Sequence, residues 1–408
     1  MSKLSELPFL PYGCHAIDDD DIEAVARVLR SDFLTTGPAV AEFEEAFARE
    51  TGAAYAVACA NGTAALHLAA LALEIGPGDY VVVPTITFLA TANAARFVGA
   101  DVIFADVDPE TGLMGAGELS AALEANQDKR IRAVFPVHLA GRPADPEGIS
   151  AVARAAGIAV VEDACHALGS RYQTVDGQVS VGGCRHADMA TFSFHPVKTI
   201  ASGEGGMVTT NDASRAARLS ALRSHGMTRN ADDMQIKDRA FDSDGTLNPW
   251  YYEMPEIGFN FRLSDIHAAL GTSQLGKLEK FAARHRALAA VYDKLLEPLA
   301  PEIVPVRNRQ GIDPVQHLYQ VLIDFPALKT TRATLMNALR GDGIGTQVHY
   351  IPVHTQPYYQ AAYGNIELPG AEAFYQRCLS LPFYPGLTED DAARVVDSLQ
   401  RATRGGET

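Results

Sequence analysis

Two side chains that could act on the same ligand stand at the ends of predicted strands. Asp163 closes the apolar run IAVVED, and Lys198 follows the run MATFSF within FSFHPVKTIASGEGG, residues 192–206. In an open α/β sheet the ligand crevice lies at the carboxyl ends of the strands, so we expect both side chains to face one crevice. A carboxylate there can pair with a protonated pyridine nitrogen, which keeps such a ring electron-withdrawing.

Each of these residues also has an ordinary interpretation. Lys198 could be a surface lysine in a turn, with Gly203, Gly205 and Gly206 only permitting a tight reversal before the next strand. Asp163 could be the N-cap of a helix. The chemical hypothesis therefore depends on the two residues meeting in one crevice.

A third motif, ACANGTAALHLAA, predicts a phosphate site. The strand stops at Asn61-Gly62 and a helix begins at Thr63. Free N–H groups and the helix dipole favour an anion at such a point, and the Thr63 hydroxyl adds a donor. Strand-to-helix turns with Gly-Thr are common in α/β proteins, so this motif alone does not establish a site.

The elements that must position these residues alternate along the first part of the chain. Short β-rich runs and helical stretches follow one another over residues 54–225, which is typical of a mostly parallel sheet covered by helices. The predicted strands are AAYAVACA, YVVVP, ADVIFADV, RAVFPV, IAVVED, MATFSF and GMVTT. The sequence therefore predicts a seven-stranded α/β domain.

The rest of the chain has a different pattern. The stretch from Gly226 to Gly258 is polar and contains Trp250, and we expect it to lie outside the core; it is called the excursion below. Residues 263–299 keep helical spacing, with Ser264 or Asp265 as the N-cap, and are expected to join two domains. The remainder, with predicted strands HLYQVLIDF and GTQVHYIP, fits a smaller α+β domain.

Composition excludes several classes of protein. The chain has 408 residues and a formal net charge of −16, which disfavours general binding to nucleic acid or to an anionic membrane. It lacks an apolar run long enough to span a bilayer and an apolar signal core, so we expect a cytoplasmic protein. Five cysteines without a CxxC pair suit a reducing compartment and predict neither disulfides nor structural zinc.

Together the motifs resemble the DegT/DnrJ/EryC1/StrS sugar aminotransferases, within the aspartate-aminotransferase superfamily. The resemblance covers nearly the whole chain, through DIEAVARVLRSDFLTTGP, NGTAALHLA, PTITFLATANA, VHLAGRPAD, VEDACHALGS, FSFHPVKTIASGEGG, RSHG, GFNFRLSDIHAALGTSQL and HYIPVHTQPYY. It implies a pyridoxal-phosphate enzyme of fold type I. The expected parts are an N-terminal arm with the large domain, residues 1–263, and a linking helix with the small domain, residues 264–408.

The resemblance also implies a role for each matched residue. Lys198 holds pyridoxal 5′-phosphate as a Schiff base and then moves a proton between C4 of the sugar and the cofactor. Relatives with histidine at this position perform dehydration, so the lysine favours amino transfer. Asp163 pairs with the pyridine nitrogen, while His166 and Phe88 cover opposite faces of the ring; an aromatic such as Phe88 is otherwise ordinary core material. The phosphate contacts are expected at Thr63, Ala64, Ser193 and, from a second subunit, Asn260.

The last contact implies a homodimer with shared active sites, in which the excursion forms part of the shared wall. The expected substrate contacts are Tyr12, Asp32, Phe33, Leu34, Thr35, His349, Tyr350, Ile351 and Pro352. Arg223 and Arg262 are candidates for binding a diphosphate or a 2-oxoglutarate carboxylate, or else form surface ion pairs. His349 and His354, separated by Pro352, fit no common zinc spacing, and no metal is expected.

Within the family, HPVKTI followed by GEGG, and VHYIPVHTQPYY, resemble the subgroup that acts in pseudaminic acid biosynthesis. This implies UDP-2-acetamido-2,6-dideoxy-β-L-arabino-hex-4-ulose as the amino acceptor and L-glutamate as the donor. Ala201-Ser202 departs from the two threonines expected in that subgroup. Serine keeps one hydroxyl, so we expect a small effect.

Three alternatives stay open at this point. The first is an aminotransferase for another UDP- or dTDP-linked 4-keto or 3-keto sugar. The second is a pyridoxal-phosphate-binding regulator without turnover, although no basic helix-turn-helix segment is evident. The third is a dinucleotide-binding oxidoreductase, which is disfavoured because G-x-G-x-x-G is missing and GEGG precedes a strand.

Overall fold

The structure is a computed structural model that describes residues 8–404, excluding the side chain of the last of these. Its main feature is a seven-stranded sheet with strand order β1-β9-β8-β5-β4-β2-β3. These strands are β1 Tyr55–Cys59, β2 Tyr80–Pro84, β3 Asp101–Ala105, β4 Ile131–Val134, β5 Ala159–Asp163, β8 Met189–Ser193 and β9 Gly206–Thr210. They coincide with the seven predicted runs, so the predicted sheet is confirmed.

The sheet is mostly parallel, as predicted. Strands β3, β2, β4, β5 and β8 run in one direction, and β9 is antiparallel to both of its neighbours, β8 and β1. Because β1 therefore runs in the same direction as β8, the carboxyl ends of β1, β5 and β8 share one edge. The register sets Ser193 and Cys59 on either side of Gly206, which brings the turn after β1 beside the end of β8.

Helices cover this sheet and build the rest of the chain. The first eight are α1 Asp19–Leu29, α2 Pro38–Thr51, α3 Gly62–Ala72, α4 Leu89–Phe97, α5 Ala116–Glu124, α6 Pro146–Ala156, α7 Ala213–Leu222 and α8 Lys237–Ala240. The others are α9 Asp265–Leu275, α10 Leu278–Leu296, α11 Arg332–Gly341, α12 Pro357–Tyr363, α13 Pro369–Arg377 and α14 Glu389–Arg404. Helix α3 is rich in alanine and leucine and is buried on nearly every side, because it packs between the sheet and α4 and α7.

The predicted helical stretch 263–299 is two helices rather than one. Ser264 is the N-cap of α9, as predicted, and its hydroxyl accepts a hydrogen bond from the His267 amide. Helix α9 ends at Leu275, and α10 starts after Gly276 and Lys277. Glycine favours helix ends, and the Lys277 amine is held by Asp18 at the start of α1, which together explain the break.

The excursion lies off the large sheet, as predicted. Its two ends meet in a narrow neck, where a β-carbon on Gly226 would lie 1.9 Å from the Glu256 carbonyl oxygen. Gly226 also has a φ of +68°, so only glycine fits this crossing without strain. Within the excursion Trp250 is 72% exposed, and Ile257 at the neck is 79% exposed.

The C-terminal part builds a second, antiparallel sheet of β10 Ile303–Pro305, β12 Tyr319–Ile323 and β13 Cys378–Leu381. Three short strands, β6 Arg171–Thr174, β7 Gly177–Ser180 and β11 Ile312–Asp313, form a third sheet. The predicted strand in GTQVHYIP is wrong, since this segment makes only an isolated bridge between Gln347 and Ser380. The residue that follows this segment is bonded just beyond β2, where the Val353 amide donates to the Thr85 carbonyl.

The predicted division of the chain into two domains between residues 263 and 264 stays a prediction. Among residues 8–404, no helix is both long enough and apolar enough to cross a membrane. The cytoplasmic location is not tested by this finding and also stays a prediction.

Candidate active site

Asp163 and Lys198 line the same cleft, which has a volume of about 670 Å³. Asp163 is the last residue of β5, and Lys198 lies in the loop that follows β8. The two strands are parallel neighbours, with Asp163 opposite Thr191, so their carboxyl ends open into one space. The crevice predicted from the two strand ends is therefore present in the structure.

The Asp163 carboxylate is buried and held from two sides. The Thr91 hydroxyl donates to Oδ2 at 2.6 Å, and the Cys165 amide donates to Oδ1 at 3.2 Å. Thr91 in turn shares a 2.8 Å hydrogen bond with Thr87. This hydroxyl pair fixes the orientation of a buried carboxylate that can face a cationic ring nitrogen.

Lys198 lies in a loop whose base is closed by a hydrogen bond from the Ser202 amide to the Phe194 carbonyl. The side chain is only partly exposed, and burial lowers its pKa below the usual lysine value, while Cys165 and Asp163 partly oppose this shift. A lowered pKa increases the fraction of neutral amine. The neutral amine is the form that can attack a carbonyl or accept a proton.

The start of α3 forms a cradle beside the end of β8. The helix begins at Gly62, one residue before the predicted start, with Asn61 as N-cap. The Asn61 side chain accepts the Ala64 amide at 2.8 Å, whereas the amides of Gly62 and Thr63 have no protein acceptor among residues 8–404. These two amides are thus free for an anion, and the direct Ala64 contact stays a prediction.

Glycine is required at position 62 because a side chain would not fit there, and not because of the backbone conformation. A β-carbon there would lie 2.8 Å from the Ser193 β-carbon and 3.3 Å from the Cys165 sulfur. A side chain would therefore fill the cradle between the helix start and the Ser193 hydroxyl. Two free amides, two nearby hydroxyls and a helix N-terminus fit a phosphate group.

His166 is neutral and has a defined tautomer. Burial, together with the charge of Lys198 and the neighbouring His317 and His349, lowers the pKa of His166 well below its usual value. Its Nδ1 accepts the Ala140 amide at 3.2 Å, so Nε2 carries the proton and faces the Tyr350 hydroxyl at 3.2 Å.

Phe88 is not core material, because it is 55% exposed and lines the cleft with its ring 6.1 Å from that of Tyr350. His166 and Phe88 thus both border the space in front of Asp163. Whether they cover opposite faces of a bound ring stays a prediction.

Four of the predicted substrate contacts also line the cleft, namely Tyr12, His349, Tyr350 and Ile351. The His349 ring bonds the Ser380 hydroxyl at 2.8 Å, and burial with Lys198 nearby lowers the pKa of His349 to about 3. Pro352, the next residue after Ile351, is not among the residues that line the cleft. His354 lies outside the cleft and bonds the Thr85 hydroxyl at 2.6 Å, which anchors this loop to the large sheet.

Other predicted contacts are not brought to the cleft of the same chain. Residues 32–35 lie beside the start of α9, where Thr35 pairs with Ser264, and Phe33 is 52% exposed. Asn260 is exposed and pairs through its backbone with Ser224. The roles of these residues stay predictions that involve a second copy of the chain.

The two candidate arginines differ. Arg223 is engaged within the fold, because its guanidinium pairs with Glu44 and donates to the Ala58 carbonyl. Arg262 makes no ion pair within residues 8–404, and its Nε is buried without a partner. Only Arg262 therefore stays a candidate for an anionic ligand.

Thr91 and His317 are among the residues of the site that sequence reasoning missed. Thr91 stands in the quoted segment PTITFLATANA, but nothing in that segment signals that helix α4 aims it at Asp163. His317 precedes β12 and lines the cleft from the C-terminal part of the chain. Neither could be found from spacing, because both lie far in sequence from the residues that they face.

The arrangement fits pyridoxal phosphate. The cradle at Gly62 and Ser193 matches a phosphate, the Asp163 carboxylate matches a ring nitrogen, and the Lys198 amine matches an aldehyde. No group of three or more possible metal ligands occurs in the part of the chain that the structure describes.

Comparison with known proteins finds relatives over nearly the whole chain. The chain is 37% identical over 403 residues to the spore coat polysaccharide biosynthesis protein SpsC of Bacillus subtilis (strain 168), covering 98% of each chain. It is 28% identical to Helicobacter pylori PseC, an aminotransferase involved in the biosynthesis of pseudoaminic acid. In that comparison the TM-score is 0.86, and the alignment covers 97% of this chain and 100% of PseC.

It is also 32% identical to S. venezuelae DesV, solved in complex with a ketimine intermediate. The TM-score is 0.82, with 98% and 99% of the two chains covered. The fold and the site thus define a pyridoxal-phosphate-dependent sugar aminotransferase of fold type I. Residues 15–400 match the DegT/DnrJ/EryC1/StrS aminotransferase family, and the chain belongs to that family.

Proposed function

We propose that this enzyme transfers the amino group of L-glutamate to C4 of UDP-2-acetamido-2,6-dideoxy-β-L-arabino-hex-4-ulose. The products are UDP-4-amino-4,6-dideoxy-N-acetyl-β-L-altrosamine and 2-oxoglutarate. The observation that carries amino transfer is the placement of Lys198 and Asp163 in one cleft beside a phosphate cradle. The sugar is supported by the likeness to PseC over nearly the whole length of both chains.

The residues of the site have distinct tasks in this reaction. The bound cofactor supplies an electron-withdrawing ring that stabilises negative charge at the carbon that gains or loses nitrogen. Asp163, oriented by Thr91, keeps the ring nitrogen protonated. The Lys198 amine would hold the cofactor and would carry a proton to or from the reacting carbon. His166 and Phe88 confine the ring.

Replacing Lys198 with alanine tests amino transfer itself. We expect the variant to fold, to lose the covalent cofactor absorbance and to lose turnover with glutamate. Turnover at the wild-type rate would refute the role of Lys198. Thermal unfolding of the cofactor-free protein serves as the control for folding.

A second candidate is amino transfer to a different keto sugar. It is favoured by the 37% identity to SpsC, a protein of spore coat polysaccharide biosynthesis, and by the likeness to DesI, which was solved with its TDP-sugar product. A panel of UDP- and dTDP-linked 4-keto and 3-keto sugars, with glutamate as donor, separates the two candidates. Products are identified by mass spectrometry and NMR, and a clear preference for another sugar would refute the proposed acceptor.

We further propose that the active site is shared between two copies of the chain. Asn260 and residues 32–35 lie outside the cleft of their own chain, and Phe33, Leu34 and Trp250 expose large apolar side chains. An isologous dimer would bury such a surface and bring Asn260 to the partner's phosphate cradle.

Mixing Lys198→Ala with Asn260→Ala, each of which we expect to be inactive alone, tests this arrangement. A mixed dimer would contain one intact site, with Lys198 from one chain and Asn260 from the other. Random exchange should restore up to about a quarter of wild-type activity, because roughly half of the dimers are mixed and each has one intact site. Failure to regain activity after verified subunit exchange would refute the shared site.

A further inference from the structure

His317 faces the cleft with a buried imidazole ring that makes no hydrogen bond within the described residues. It lies just before β12, is 5% exposed and has its ring 4.5 Å from that of His166. Neither of its ring nitrogens makes a hydrogen bond to any residue from 8 to 404. Neither nitrogen is among the fully enclosed unpaired atoms of the described residues, so both are accessible from the cleft, where an imidazole can bond a ligand.

The neighbouring histidines differ from His317 in this respect. Both ring nitrogens of His166 are engaged, by the Ala140 amide and the Tyr350 hydroxyl. His349 uses its Nδ1 on the Ser380 hydroxyl and keeps one nitrogen free. His317 is therefore the imidazole with the greatest unused hydrogen-bonding capacity in this wall of the cleft.

The reaction proposed above requires the cleft to hold a dicarboxylic amino acid. Proteins commonly bind carboxylates with the two-pronged guanidinium of arginine. Among the described residues of one chain, no arginine lines the cleft, and the nearby acids Asp163 and Glu204 disfavour an anion. The carboxylates of the donor must therefore find other N–H groups.

We propose that His317 binds a carboxylate of the amino donor and thereby determines which donor the enzyme accepts. This inference rests on the proposed function, because it names the residue that serves the glutamate half of the reaction. An imidazole N–H facing the cleft donates one hydrogen bond to a carboxylate oxygen. The free nitrogen of His349 can provide a second.

A histidine suits a cleft that accepts two different substrates in turn. Burial, with Lys198 and His349 nearby, lowers the pKa of His317 well below its usual value, so the ring is neutral in the empty cleft. When the sugar occupies the same space, a neutral imidazole leaves no unpaired charge buried beneath it. An arginine is permanently charged, so its guanidinium would be buried without a partner, at a cost in desolvation free energy, each time the sugar is bound.

The two half-reactions can be measured separately on the cofactor-loaded enzyme. Stopped-flow absorbance follows the reaction with glutamate, and the aminated enzyme is then mixed with the keto sugar. For His317→Leu we expect the half-saturating glutamate concentration to rise about tenfold or more, as for a lost hydrogen bond to a charged group. The sugar half-reaction should change less than about threefold.

Two further variants show whether the effect is specific. His317→Gln keeps an N–H and should recover part of the affinity for glutamate. His285→Leu is the matched control, because His285 is also buried with both ring nitrogens unpartnered, but packs against Phe383 away from the cleft. It should not change the ratio between the two half-reactions.

Equilibrium binding of maleate, a dicarboxylate that cannot react, gives a readout independent of turnover. Calorimetry should show weaker maleate binding to His317→Leu than to the wild type or to His285→Leu. Equal losses in both half-reactions, or unchanged maleate binding, would overturn the role of His317. A donor-specific loss in Arg262→Gln with none in His317→Leu would also overturn it and would point to an arginine from the partner copy. A wild-type enzyme that does not react with glutamate would instead refute the proposed function.

Discussion

Gly62→Ala is the substitution that most directly tests the phosphate cradle. The glycine starts α3, and its φ is not in the left-handed region, so alanine brings no backbone strain of its own. Its methyl group would lie 2.8 Å from the Ser193 β-carbon and 3.2 Å from the Ser193 hydroxyl oxygen. The substitution therefore acts through space alone, at the point where the helix start meets the end of β8.

The expected magnitude follows from these distances. Carbon atoms in contact normally lie about 3.5–4.0 Å apart, so the new methyl group overlaps Ser193 by roughly 1 Å. Overpacking of this kind costs about 1–3 kcal/mol of stability. If Ser193 retreats instead, its hydroxyl loses a hydrogen bond to a charged phosphate, worth about 1.5–3 kcal/mol. The cofactor dissociation constant should then rise about 10- to 100-fold.

Spectroscopic titration of the cofactor-free protein with pyridoxal phosphate measures this change, and urea unfolding measures stability. Gly117→Ala is the matched control, because Gly117 is exposed in α5 with nothing within 4 Å of an added β-carbon. That variant should keep wild-type cofactor affinity and change stability by less than about 1 kcal/mol, because Gly117 lies in the first turn of α5.

The double variant Gly62→Ala with Ser193→Gly separates crowding from other effects. Removing the Ser193 side chain removes the overlap, so Gly62→Ala should cost less stability in that background than in the wild type. Wild-type cofactor affinity and stability in Gly62→Ala would refute the cradle. Additive effects in the double variant would show that the two residues do not meet.

Three further predictions concern single groups. Burial lowers the pKa of Lys198, so covalent binding of pyridoxal phosphate to the cofactor-free protein should increase with pH around a midpoint below about 10.4. A midpoint at or above that value would contradict the lowered pKa of Lys198. Tyr350→Phe leaves the His166 N–H unpaired, so it should cost about 1–3 kcal/mol in urea unfolding and slow amino transfer. Tyr359→Phe, the control, removes a hydrogen bond to Asn93 and should lower stability only. Equal rates of amino transfer in the two variants would refute a role of Tyr350 in the site. Asp265→Ala removes the acceptor of two amides at the start of α2, those of Gly37 at 2.9 Å and Ala39 at 3.0 Å, and should cost about 2 kcal/mol or more in urea unfolding. An unchanged midpoint would show that other contacts hold the start of α2.

Local patterns in the sequence were sufficient for the large sheet. Each of its seven strands is a short apolar run bounded by loop residues, and burial of both faces of a parallel sheet imposes that pattern. The N-cap Ser264 was also predictable, because capping depends on a few adjacent residues. The failed strand in GTQVHYIP has a local apolar pattern too, but its backbone bonds single residues far away in sequence, Leu10 at Gly345 and Ser380 at Gln347, rather than a continuous ladder.

The sequence by itself determined which groups could do chemistry: a lysine and a carboxylate at strand ends, and a helix start suited to a phosphate. It did so because those groups stand directly after strands whose direction the α/β pattern fixes. Only the tertiary structure decided that Thr91 holds Asp163, that Arg223 is already paired and that His317 faces the cleft unpaired. Such contacts join residues widely separated along the chain, and their geometry is set by how helices and loops pack rather than by any local pattern.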